Sequence, residues 1–211
     1  MAETDLGLVV VLVVAAFFSA WYFAAFVYSR RLAARLAREM KEAVLGLGGT
    51  WKVRWFGTTA FRMTTEEADE PFRGVSVTMT LRPREMPINW AIGMAQGRRD
   101  AALVEAALSK SPKVGFELVD PATRIGQRRR RARSDWSKAT VGERAVLLAA
   151  DDADRVLRLL GSLEPTSLTS IMALNVTAGS TPGIAASLSV DKGDPKKGLS
   201  AIRALADRLV T

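Results

Sequence analysis

Five arginines crowd into six residues at Arg128, Arg129, Arg130, Arg131 and Arg133, with Trp136 and Lys138 close behind. Guanidinium groups stay charged and present a planar fork of donors, so a run of them suits phosphate or carboxylate oxygens. An indole beside them offers a surface on which a base can stack. Read as part of a basic loop over residues 124–143, the run has four readings. A solvated loop leads, followed by an anionic lipid surface, then the acidic face of another protein. Nucleic acid comes last, because no helix-turn-helix, aromatic sheet signature or zinc module accompanies the arginines. Phosphate contacts alone also carry no base information.

A second stretch, Glu85–Gly97, reads EMPINWAIGMAQG. Its residues 86–97 hold no charge, whereas Arg82, Arg84, Arg98 and Arg99 flank them. The leading reading sends Ile88, Trp90, Ile92 and Met94 into the core of a fold. The other makes them an interfacial loop that dips into a lipid leaflet, or an adaptable partner site.

Three shorter motifs carry less. Gly193–Gly198 (GDPKKG) has the glycine spacing of a phosphate loop, but Leu199 and Ser200 occupy the places of its Lys-Ser/Thr pair. It reads as a turn and helix cap. Ser189–Lys192 (SVDK) matches a Ser–Lys pairing of some acyl enzymes, yet it ends a hairpin instead of opening a helix. Asp151, Asp152 and Asp154 read as a helix cap before a hard-cation site.

The chain has no cysteine and no histidine. Disulfides, Cys/His zinc sites and Ser-His-Asp or Cys-His catalysis are therefore excluded. Its two tyrosines, Tyr22 and Tyr28, lie in an apolar segment, so the remainder offers only carboxylates, amines, guanidines and hydroxyls. That set points away from an enzyme, and no cofactor or metal is expected.

These residues must be positioned by the elements around them. Leu6–Ser29 is 24 residues without a charge. As a helix it reaches about 36 Å, more than a hydrocarbon core of ~30 Å. A cleaved signal peptide would have a basic start and a shorter apolar run. The expected element is a single transmembrane helix over residues 6–29, behind an extracytoplasmic N-terminus of residues 1–5. Glu3 and Asp5 precede it, and Arg30, Arg31, Arg35 and Arg38 follow. Positive flanks stay on the cytoplasmic side, which sets the N-terminus outside and the body inside. Trp21, Tyr22 and Tyr28 then sit toward the inner interface as anchors. Ala16, Ala20 and Ala24 recur at four-residue steps, a pattern that admits close pairing with a second copy.

Residues 30–49 continue as a juxtamembrane amphipathic helix, with Leu32, Leu36, Met40, Ala43 and Leu47 as its apolar stripe. Docking on its own domain is favoured over lying on the membrane or pairing with another copy. Standing upright, such a helix would begin the domain about 24 Å from the lipid surface.

Residues 50–211 are expected to form one cytoplasmic α+β domain, a two-layer α/β sandwich with a mainly antiparallel sheet. Strand patterns occur in TWKVRWFG, AFRMTT, FRGVSVTMTL, GFELVD and RAVLLAA. Ala101–Lys110 is left open between helix, with Asp100 as its cap, and strand. LTSIMALNVTA and GIAASLSV form a hairpin across GSTPG, and Pro195 opens the last helix behind Asp194. The whole chain has a formal charge of +8 with its only two N-terminal charges negative, so the basic excess lies entirely beyond residue 29. The functional expectation is a single-pass, membrane-anchored interaction or scaffold module in contact with lipid. A protein partner or a second copy is expected, within a larger membrane complex. A membrane-tethered enzyme acting on a phosphorylated or lipid substrate is the alternative, and a nucleic-acid tether is third.

Overall fold

The structure, a computed structural model, describes residues 2–179, 183–191 and 194–210, with side chains from residue 5 onward. It opens on α1 (Ala2–Leu45), a continuous helix of 44 residues. The apolar stretch as far as Ala20 stands free of the rest of the chain, and Leu6, Val11 and Val13 are all exposed. The second half is built into the domain. Ala33, Leu36, Ala37, Met40 and Val44 are buried, spaced three and four apart so that they share one face. The helix ends at Gly46–Gly49. Gly49 has φ +73°, and any Cβ there would collide with the Glu67 backbone, so a glycine is required.

Nine strands follow: β1 (Lys52–Trp55), β2 (Ala60–Thr65), β3 (Phe72–Thr80), β4 (Ala101–Leu108), β5 (Phe116–Val119), β6 (Ser137–Val141), β7 (Arg144–Ala150), β8 (Ile171–Val176) and β9 (Ile184–Ser189). They make one sheet in the order β1-β2-β3-β4-β9-β8-β5-β7-β6, and every pairing is antiparallel. Alternation along the strands sends Phe61, Met63, Val77, Met79, Val104, Ile184 and Leu188 to one face, where all are buried. That face is covered by the second half of α1 together with α4 (Ala153–Gly161), α5 (Pro165–Leu168) and α6 (Pro195–Val210). The result is an α+β domain, whose core takes in α1 from Ala33 onward.

The caps follow their chemistry. Asp152 opens α4 by accepting from the Arg155 N–H at 3.0 Å, and Asp194 accepts from the Lys196 N–H at 2.9 Å at the start of α6. Residues 180–182 of the β8–β9 turn, and Lys192 and Gly193 of the two short motifs, lie outside the described residues.

Residues 101–108 are strand, which resolves the open choice. Ala102 and Ala106 are fully buried where β4 lies between β3 and β9. Small side chains are accepted there because packing in mid-sheet outweighs alanine's helix preference. Asp100 is accordingly no helix cap.

The path of the chain gives the sheet a direction. β3 ends and β4 begins at one end, marked by Thr80 and Ala101, which are paired. α1 passes this end at Trp21–Ser29 and leaves the opposite end at Leu47, whose carbonyl accepts from the Asp69 N–H at 2.8 Å. β1 then climbs back, so the β1–β2 turn at Trp55–Thr59 returns to the Thr80 end, where Leu81 N–H donates to the Thr59 carbonyl at 2.7 Å.

Candidate interaction surfaces

The stretch read as a loop or core filler is a helix, α2 (Pro87–Ala95), and its side chains do not fill the core. Pro87 sets the first helical turn without a missing hydrogen bond. Gly97 closes the helix at φ +67°, and the Arg98 N–H donates back to the Gly93 carbonyl at 2.9 Å. Ile88 is 64% exposed, Ile92 48% and Met94 49%, and Trp90 is half-buried. The core expectation for these residues is therefore corrected. The twenty residues from Leu81 to Asp100 join adjacent strand ends at one end of the sheet, whose core face α1 and α6 already cover.

A buried carboxylate ties down the segment that leads into α2. Asp100, 2% exposed, accepts from the Arg82 backbone N–H at 2.7 Å and from the Arg84 guanidinium at 2.6 Å. Arg82 also reaches it at 3.4 Å and Asp191 at 3.3 Å. Arg84 lies over the Tyr28 ring, 5.5 Å from its centroid. Its carbonyl accepts from the Trp21 indole N–H at 3.0 Å. The Trp21 and Trp90 rings are 5.8 Å apart. Asp100, expected only as a possible helix cap, is the acid that the flanking Arg82, Arg84, Arg98 and Arg99 leave to be supplied.

Arg124–Ala132 is also a helix, α3, not a loop, and residues 137–141 of the expected loop are strand β6. Thr123 is its cap, accepting from the Gly126 N–H at 3.0 Å while donating to the Asp120 carbonyl at 2.8 Å. Gly126 packs directly on that carbonyl, leaving no space for a Cβ. Asp120 is paired with Arg144, which also donates to the Ile171 carbonyl at 2.9 Å. Charge near the helix C-terminus explains why so many arginines are tolerated in one helix, since Arg129, Arg130 and Arg131 occupy the last turn.

Two of the five arginines are engaged on the sheet face opposite the core. Arg129 and Arg133 reach Glu117 at 3.2 and 3.4 Å. Arg133 also pairs with Asp135 at 2.5 Å and lies 5.9 Å from the Trp136 ring centroid. Its hydrogen bond holds the Asp135 carboxyl below its ordinary pKa. Arg128, Arg130 and Arg131 are exposed. Arg130 and Arg133 line a cleft of about 690 Å³ with Trp136 and Lys138.

A second cleft, of about 570 Å³, opens between α2 and α3 and is lined by Arg82, Arg98, Arg99 and Arg124. Neither lining contains a carboxylate. General acid–base work needs an acid and a base converging on one reacting atom, and the charged groups lining these two clefts are protonated cations alone. Among the described residues no cluster of three or more acidic side chains could hold a cation.

The anchor candidates on α1 divide. Trp21 and Tyr28 touch the Arg84 loop, as above. Tyr22 is exposed and stacks on Phe26 at 6.3 Å. Arg30, Arg31 and Arg38 point outward, and Arg35 pairs with Glu39 at 2.8 Å. Among the described residues one helix, α1, is long and apolar enough to cross a membrane. Compared with known proteins, the chain matches no family model and no curated protein by sequence.

Proposed function

We propose that the protein is a single-pass, membrane-anchored interaction module. Its apolar N-terminal helix crosses the bilayer and its α+β domain works as a scaffold subunit on the cytoplasmic side. The observation that carries this reading is the continuity of α1. One end is a charge-free, exposed apolar rod, and the other end belongs to the domain core at Leu36, Met40 and Val44. No linker separates anchor from domain, so the helix is a rigid mount that sets the domain's orientation as well as its address.

The orientation rests on Arg30, Arg31, Arg35 and Arg38 after the span and Glu3 and Asp5 before it. Binding rather than catalysis is favoured by two clefts lined with arginine and no carboxylate. The exposed Arg128, Arg130 and Arg131 on α3 form the surface offered to an acidic partner. Full-length protein purified in mild detergent should retain a partner that is lost when these three are replaced by glutamate. Protease added outside intact cells should spare the domain. Recovery of the full-length chain in the aqueous fraction would refute the anchor, and purification without any partner would refute the scaffold role.

A further inference from the structure

We propose that the Thr80 end of the domain is itself a lipid-facing surface, with α2 lying in the plane of the leaflet on the domain's side as a second membrane contact. This rests on α1 spanning the bilayer, and it adds a binding surface that the anchor alone does not require.

Depth along α1 is the first ground. Trp21, which touches both Arg84 and Trp90, lies eight residues before the end of the apolar run at Ser29. At about 1.5 Å per residue, α2 meets the rod about 12 Å inside that run. If the apolar run is in lipid, a helix packed beside it at that depth cannot be in bulk water. The domain therefore folds back to the bilayer instead of hanging from an upright stalk.

The chemistry of α2 fits that position. It is free of charge over its whole length, with Ile88, Ile92 and Met94 exposed. In water such a face is unfavourable; at a leaflet boundary it is the ordinary composition of an interfacial helix. Arg98 and Arg99 follow its C-terminal end, both exposed, and such long basic side chains reach from an apolar boundary up to lipid phosphates.

A separate element agrees. The β1–β2 turn comes back to the same end of the sheet, as the Leu81–Thr59 hydrogen bond shows. It presents Trp55 and Phe56, 48% and 46% exposed, with Arg54 over the Phe56 ring at 5.2 Å. Aromatic rings with an adjacent arginine are favoured at membrane interfaces. Two segments distant in sequence thus place exposed apolar side chains on the end of the domain from which the apolar rod emerges.

The chain lacks cysteine, so single cysteines can be introduced for nitroxide labelling without competing sites. Full-length Ile92→Cys, Phe56→Cys, Val14→Cys and Lys138→Cys, all at exposed positions, are reconstituted into vesicles of phosphatidylcholine with a minority of phosphatidylglycerol. Collisions with oxygen, which concentrates in lipid, are compared with those of a water-soluble nickel chelate. Oxygen should dominate at Val14, Ile92 and Phe56, and the chelate at Lys138. Chelate-dominated labels at Ile92 and Phe56, with Val14 still in lipid, would overturn this inference and leave the anchor standing. A label at Ile92 shielded from both probes would overturn it as well, by showing that protein covers α2. A water-exposed Val14 would remove the anchor, and this proposal with it.

Discussion

Replacing Asp100 by alanine tests the element that holds α2 in place. The carboxylate side chain is 3% exposed, and its main partner, Arg84, is 11% exposed. Removing the acid leaves the Arg84 guanidinium, among the described residues, with the Arg82 carbonyl at 2.9 Å as its remaining acceptor, and the Arg82 N–H loses its partner at 2.7 Å. Breaking one side of a buried pair costs ~3–5 kcal/mol, because the surviving charge is stranded away from water. For a chain of this size about 1 kcal/mol moves the melting temperature by ~2–4 °C, so a fall of roughly 10 °C is expected. Asp100→Asn keeps the shape and an acceptor for the Arg82 N–H, and should fall between wild type and Asp100→Ala. Glu39→Ala removes an exposed pair with Arg35 on the same scaffold and serves as the control; surface pairs contribute little. The assay is thermal unfolding in detergent followed by circular dichroism. Should Asp100→Ala melt with Glu39→Ala, the buried carboxylate does not hold the Thr80 end together, and the account of how α2 is positioned fails.

Two further outcomes follow from the seam between α1 and the rest of the domain. Met40, fully buried in the core, should cost ~2–5 kcal/mol when cut to alanine, read as a lower denaturant midpoint; a shift below about 1 kcal/mol would mean that α1 is not part of the core. Beside it, Lys196 donates to Glu42 at 2.8 Å, and this hydrogen bond holds the Glu42 carboxyl below its ordinary value of 4.5. A depressed folded-state pKa stabilises above the unfolded value and is lost as pH falls through the folded one. The melting difference between wild type and Glu42→Gln should thus be complete at neutral pH and shrink below pH 4.5, vanishing in stronger acid; a difference constant with pH would show that the pair does not form.

Both surfaces were only partly legible. The arginine run was conspicuous as composition, but its helical state was not, since the run carries no apolar stripe at helical spacing. Gly126 in fact lets the first turn of α3 press against the Asp120 carbonyl. For α2, an apolar stretch without charge was assigned to a core by the usual rule that such residues are buried. Residue type alone did not separate the core reading from the interfacial one; Ile88, Ile92 and Met94 are exposed because α2 lies at the Thr80 end, away from the covered face of the sheet. Trp55 and Phe56 looked like the end of a strand, and their significance depends on which end of the sheet they reach.

Local chemistry determined much of the outcome. The charge-free run of Leu6–Ser29, the caps at Asp152 and Asp194, the alternation of β2, β3 and β9 and the absence of cysteine and histidine follow from residue types and short-range periodicity. Tertiary structure alone decided that β4 is a strand and that Asp100 ties Arg82 and Arg84 to the sheet, whereas the docking of the second half of α1 was already favoured by its apolar stripe. Tertiary structure also decided that Trp21 meets Trp90, 69 positions away along the chain. Such facts depend on which strand ends become neighbours, and loop closure between distant segments leaves no periodic mark in the residues that it joins.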